Sequence, residues 1–277
     1  MIDVVVQGAA LQGGAREWEE LTGPKGISRP APGVIRLHDV QKTDGVHDRA
    51  HQQSLDSTVL NPPRSWKEFR VLAMDMDSTL ITIECIDQLA DIAGIGAKVG
   101  AITAAAMRGE LDFQQSLRAR VRLLAGLDVS ALATVYAERL RLSPGAMPLL
   151  AAARRAGLKT VLVSGGFTYF TRRLQERLQL DFELANTLEV INGKLTGEVE
   201  GDIVDAQAKA RRVSEVCHEL GCPTEAAIVV GDGANDLEMM AIAGFSVAYR
   251  AKPRVQSRAH VAINHSGLDA IVHLFEQ

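Results

Sequence analysis

Asp75 and Asp77 stand two residues apart, just past the apolar run Val71-Leu72-Ala73-Met74. A run this short and uniformly apolar suits a strand buried on both faces of a parallel sheet. In open α/β sheets the chemistry lies beyond the carboxyl ends of such strands. Two carboxylates so close repel unless a cation lies between them, which implies a hard divalent ion, Mg²⁺ before others. The doublet by itself also fits an ordinary surface turn, so its meaning depends on what the chain brings beside it. Two further runs are strand-like. Lys159 to Val163 delivers Ser164-Gly165-Gly166, and Ala226 to Val230 delivers Gly231-Asp232-Gly233-Ala234-Asn235-Asp236. The amides around Gly165 and Gly166, with the start of the following helix, would make an anion site. Lys209 falls in the first turn of a helix that Asp205 would cap, with Gly221 beyond its end.

Taken in order, Asp-x-Asp, a serine, a lysine and an acidic Gly-Asp loop resemble the haloacid dehalogenase superfamily of phosphohydrolases. Asp75 to Leu80, Glu84, the segment Phe113 to Arg120, Ser164 to Phe167 and Gly231 to Asp236 resemble more closely its phosphoserine phosphatase family. The likeness runs from about residue 68 to the C-terminus. It implies Mg²⁺-dependent hydrolysis of O-phospho-L-serine, the last step of serine biosynthesis, through an aspartyl phosphate. Asp75 would be the nucleophile and Asp77 the general acid and base. Metal ligands would be Asp75, Asp232 and the Asp77 main-chain carbonyl, with Asp236 behind them. Glu84, Met107, Phe113, Arg120, Ser164, Gly165, Lys209 and Asn235 would contact substrate, Glu84 taking its ammonium and Arg120 its carboxylate. On spacing alone Arg120 fits equally well on a solvated face with Arg118 and Arg122. The resemblance leaves a homodimer open. Two rivals are a phosphotransferase or broader small-molecule phosphatase, and an amino-acid-sensing module on a dead hydrolase fold. The second requires a lost motif carboxylate, and none is lost.

The elements that must position these residues alternate strand and helix after residue 143, which argues an α/β fold with a doubly wound parallel sheet. Residues 68–83 and 143–277 would form this Rossmann-like core. Residues 84–142 show helical periodicity and no strand pattern (Ile86, Leu89, Ile92 and Ala93; Leu117, Val121 and Leu124), and by resemblance form a cap. Ser143-Pro144 is expected to open a helix ending at Gly157, and Ser266 to cap another over 268–275. Asn192-Gly193 predicts a hairpin, expected beside the site as a flap. Residues 1–67 fall outside the resemblance. They read as a βαβ-like scrap followed by a polar linker over 41–63 in which His47 and His51 are solvated; some members of the family carry an N-terminal ACT-type domain, and by that resemblance the scrap would be a short, degenerate ACT-like segment. Removing residues 1–62 is accordingly expected to leave catalysis largely unchanged.

Composition excludes several classes. Nearly half of the 277 residues are apolar, enough for a substantial core, and a net charge of -4 with mixed signs offers no basic field for nucleic acid. No apolar run is long enough to span a bilayer and the start lacks a signal-peptide pattern, so a cytoplasmic location is expected. Cys85, Cys217 and Cys222 make an odd count without Cys-x-x-Cys spacing and read as reduced structural thiols.

Overall fold

The computed structural model describes residues 1–11 and 14–276. Its N-terminal part runs β1 (Asp3–Gln7), α1 (Arg16–Thr22), β2 (Gly26–Ser28), β3 (Val34–His38), α2 (Val46–Gln52) and β4 (Asp56–Leu60). These four strands form an antiparallel sheet in the order β2-β3-β1-β4, the ferredoxin-like β-α-β-β-α-β arrangement. The linker expected over 41–63 is therefore a helix and a strand. Both were hidden for the same reason. Helix α2 buries only Val46 and Ala50, while β4 turns Asp56 and Thr58 inward, so neither shows an apolar stripe. His47 and His51 are exposed, as expected.

After the two-residue β5 (Arg64–Ser65) comes β6 (Val71–Met74), followed by the helices α3 (Cys85–Ile92), α4 (Gly96–Met107), α5 (Phe113–Arg122) and α6 (Ser130–Thr134). The chain then runs α7 (Ala146–Arg155), β7 (Lys159–Phe167), α8 (Thr168–Leu178), β8 (Phe182–Ile191), β9 (Lys194–Glu200), α9 (Ala206–Glu219), β10 (Ala227–Gly231), α10 (Leu237–Ile242), β11 (Phe245–Tyr249), α11 (Pro253–Gln256), β12 (Val261–Ile263) and β13 (Phe275–Glu276). The central sheet has seven strands in the order β12-β11-β10-β6-β7-β8-β9, parallel throughout except for β9. Alternate residues feed different faces. Leu72, Met74, Leu162 and Val230 join the core beneath α7 and α8, while Val71, Ala73, Val161 and Val229 join the one beneath α9 and α10. Burial on both faces is why these strands read as unbroken apolar runs. None of the described helices is long and apolar enough to cross a membrane.

Three local readings are corrected. Ser143 does not cap α7. Its N–H donates to Leu80 O at 2.9 Å, Pro144 O accepts from Leu268 at 2.7 Å, and the helix starts after Gly145 at φ +77°. The pair thus serves packing rather than capping. The C-terminal segment Leu268–Leu274 is a 3-10 helix with Gly267 at its start, and the Ser266 hydroxyl caps nothing. The hairpin forms, with both Asn192 (φ +53°) and Gly193 (φ +76°) in the left-handed region that a two-residue turn needs. It braces the cap instead of covering the site: Gly126 donates to Leu195 O at 2.8 Å, Leu195 to Leu127 O at 2.9 Å, and Val129 to Gly193 O at 2.9 Å.

The N-terminal sheet docks on the core through Asp56. Its carboxylate, 4% exposed, accepts the backbone N–H groups of Asn264 (2.7 Å), His265 (3.2 Å) and Ser266 (2.7 Å). Losing the acceptor would leave three donors without a partner, at about 3 kcal/mol in all for a charged acceptor. Asp56→Ala should lower the urea midpoint accordingly, with catalytic activity per folded molecule retained. Equilibrium unfolding with parallel activity assays checks both.

Candidate active site

The site is built where neighbouring strands end. β6 lies between β10 and β7, so its end places Asp75 beside the loop after β10 and beside Ser164. Asp75 is 5% exposed and accepts from Met76 N at 2.6 Å. Asp232 leads the loop after β10 and accepts from the buried Thr79 hydroxyl at 2.9 Å. Asp236 turns back to accept Asp232 N at 3.1 Å and Gly233 N at 2.9 Å. Oxygens of Asp75, Asp232 and Asp236 all lie within 4.8 Å of one another.

Lys209 answers this charge. It rises from the first turn of α9, which Asp205 caps by accepting from Ala208 N at 3.0 Å. Its Nζ, fully buried, lies 2.9 Å from Asp75 Oδ1 and 2.8 Å from Asp236 Oδ1. Burial alone would lower its pKa, but Asp236 and Asp75 outweigh that and keep it an ammonium. The acidic side stays undercompensated. Asp75 is raised well above the usual carboxylate range by burial and by Asp236, and Asp232 is pushed to about 7 by the same two causes. A buried set of hard oxygens with more negative charge than one lysine neutralises is the environment a divalent cation relieves.

Asp77 differs from Asp75. Its Oδ2 accepts Cys85 N at 3.2 Å, whereas its buried Oδ1 has no partner among the described residues. Burial, then Glu84, raise its pKa to about 8. Glu84 is held by the Ser78 hydroxyl at 2.6 Å, and Ser78 itself adopts φ +55° in the turn between them. Opposite, Arg120 is half-buried at the inner side of α5, with Arg118 and Arg122 exposed. Burial lowers its pKa while Asp87 and Glu84 oppose the change, so a cation faces acidic groups across the opening.

A cavity of about 140 Å³ joins these groups, lined by Asp75, Asp77, Glu84, Phe113, Arg120, Ser164, Gly165, Asp232 and Asn235 among others. The cap thus contributes directly: a Cβ on Gly165 would stand 2.7 Å from the tip of the Phe113 ring, so a side chain there would push that ring away from the core. Lys209 and Asp236 lie beneath the floor rather than on the wall. Met107 is not brought to the site. At the end of α4 it is 66% exposed, with Lys252 Nζ 3.5 Å from its sulfur.

The Ser-Gly-Gly segment is not a simple turn. β7 continues to Phe167 with a register shift after Val163, and Ser164 Oγ accepts Gly166 N at 2.9 Å. Sequence reasoning missed Asn186, 1% exposed on β8. Its amide donates to Gly165 O at 2.8 Å and accepts Val204 N at 2.8 Å, tying the irregular end of β7 to the approach to α9. The sequence carries no signal for it, since β8 also holds Glu183, Thr187 and Glu189 and only burial sets Asn186 apart from them.

Comparison with known proteins agrees with this geometry. The family model described as haloacid dehalogenase-like hydrolase matches residues 72–241. A phosphoserine phosphatase of Polaromonas sp. (strain JS666) is 52% identical over 221 residues, 78% of this chain and 94% of that protein. Among solved structures, a HAD-family hydrolase from Salmonella enterica serovar Typhi covers 100% of this chain and 99% of its own at TM-score 0.89 and 31% identity. A probable phosphoserine phosphatase from Vibrio cholerae in unliganded form covers 99% and 85% at TM-score 0.84 and 36% identity. On its sequence, its sheet order and the carboxylates at its strand ends, this chain belongs to the haloacid dehalogenase-like hydrolases.

Proposed function

We propose that this chain hydrolyses O-phospho-L-serine to L-serine and inorganic phosphate. The observation that carries the reading is the pair of opposite charges, Glu84 and Arg120, in one cavity with Asp75 and Asp77. Phosphoserine carries an ammonium and a carboxylate beside its phosphoester, and a water-poor site must answer each or forfeit its solvation. Glu84 suits the ammonium; the planar guanidinium of Arg120 suits the carboxylate, which it can grip with two parallel hydrogen bonds. The names of the relatives support the same substrate.

For the chemistry, Asp75 is the nucleophile. Lys209 holds one of its carboxylate oxygens, so the other is oriented toward phosphorus when the ester enters. Attack transfers the phosphoryl group to Asp75 and breaks the bond to the seryl oxygen. Asp77, with its pKa near 8, arrives protonated at neutral pH and gives that proton to the departing oxygen. The resulting carboxylate takes a proton from the water that next attacks the aspartyl phosphate, which releases inorganic phosphate and restores both aspartates. Ser164 and the backbone around Gly165 suit the phosphate oxygens, and Asn235 lies on the same wall. Asp75 and Asp232 suit Mg²⁺, with the Asp77 main-chain carbonyl as the third ligand that the family implies; Asp236 has both carboxylate oxygens engaged already. When bound, the ion neutralises the charge that gathers on the phosphoryl oxygens.

For the N-terminal part, the ferredoxin-like strand order supports an ACT-type module, more complete than the scrap expected from sequence.

Two outcomes test the reading. Asp75→Asn is nearly isosteric but not nucleophilic, so turnover should be abolished with circular dichroism unchanged; phosphate trapped with a mimic and mapped to another residue would overturn the assignment. Truncating one member of a buried charge pair costs about 2–5 kcal/mol, so Arg120→Ala should lower kcat/KM for phosphoserine by roughly two to three decades. Hydrolysis of a small aryl phosphate without either charge should be nearly spared. Equal slowing of both substrates would remove Arg120 from substrate selection.

A further inference from the structure

Helix α9 ends in a Schellman motif that places two thiols together. Gly221 takes φ +65°, its N–H donates to His218 O at 3.0 Å, and Cys222 N–H donates to Cys217 O at 3.0 Å. This pair of bonds brings the side chain three positions before the cap against the one two positions after it. Such a contact is commonly apolar. Here both residues are cysteine. Cys217 is 1% exposed, and Cys222 packs partly buried against the same hydrophobic cluster. The remaining thiol, Cys85, lies in a different cluster beside Asp77. Catalysis as derived above uses neither Cys217 nor Cys222.

We infer that Cys217 and Cys222 form a dithiol modification site, closed to an intramolecular disulfide by a small-molecule disulfide such as glutathione disulfide. Accessibility sets the order. Cys222 is part-exposed, whereas burial and the neighbouring Cys222 push the Cys217 thiol up to about 12. The Cys222 sulfur attacks one sulfur of the oxidant, and the first glutathione leaves as a thiol carrying the proton of Cys222. The Cys217 sulfur then attacks Cys222 Sγ, breaks the mixed disulfide and releases the second glutathione with its own proton. Two protein thiols are oxidised and one glutathione disulfide is reduced to two thiols. The ring closed is short, so it constrains the unfolded chain little and the bridge is readily reduced. Lys209 lies eight residues upstream on α9, about 12 Å along the axis, so the bridge forms away from the catalytic groups.

The test incubates the native full-length chain with glutathione disulfide, blocks remaining thiols after denaturation and reads intact mass and peptide linkage. Wild type should lose two hydrogens with Cys217 and Cys222 joined, leave Cys85 free for alkylation and revert with dithiothreitol. Cys217→Ala should stop at a glutathione adduct on Cys222, and Cys222→Ala should stay unmodified. A wild-type chain that stops at the mixed disulfide, links Cys85 or does not react would overturn the inference.

Discussion

Lys209 is the charge on which the rest of the site depends. A fully buried ammonium is tolerated only where carboxylates answer it, and buried carboxylates as close as Asp75 and Asp236 are tolerated only with a cation between them. Each group therefore fixes the others. Removing the lysine would leave two uncompensated buried charges, a loss of about 3–5 kcal/mol by analogy with broken buried pairs. The same ion pairs orient Asp75, so stability and catalysis draw on one interaction. The arrangement also explains the sheet order: β6 must lie beside β10 for Asp75 and Asp232 to meet, and α9 must pack on that face of the sheet for Lys209 to reach between them.

The cavity walls come from a different part of the chain. Helix α5 supplies Arg120 and Phe113, the turn after β6 supplies Glu84, and the strand ends supply Asp75 and Asp232. Holding the cap in register is the task of β9, which pairs with the loop over 126–129 and approaches α5 so closely that Gly197, at φ +92°, has the Arg122 carbonyl 3.2 Å from where a Cβ would stand. In the proposed reaction, helices anchored this way would shield the charged groups from water, which would strengthen each of their interactions.

The N-terminal module joins the core in another manner. Its inward face mixes Val5, Val34 and Leu60, which join the main hydrophobic core, with Asp3, Arg36, Asp56 and Thr58. Arg36 Nε is paired with Asp3 at 2.8 Å, and Asp56 with three backbone amides. The Gln7 side-chain amide and the Thr58, Tyr249 and Ser266 hydroxyls are buried without partners among the described residues. Such a seam combines apolar packing with specific polar bonds, unlike the apolar layers within each part.

The sequence by itself determined the catalytic core. Apolar runs ending in Asp75, Ser164 and Asp232 identify buried parallel strands and the residues at their ends, because burial on both faces leaves no alternation to confuse. The capped start of α9 likewise placed Lys209, and Asn192-Gly193 placed the hairpin, since both are local backbone requirements. Tertiary structure alone decided matters that depend on which face a residue turns to. Arg118, Arg120 and Arg122 are equivalent in spacing terms, and only the docking of α5 selects Arg120. Asn186 matters through partners 21 and 18 residues away. Strand β4 buries Asp56, whose partners lie about two hundred positions along the chain, and helix α2 buries only Val46 and Ala50. No periodicity could reveal either, because neither carries an apolar stripe of its own and β4 is held by those distant hydrogen bonds.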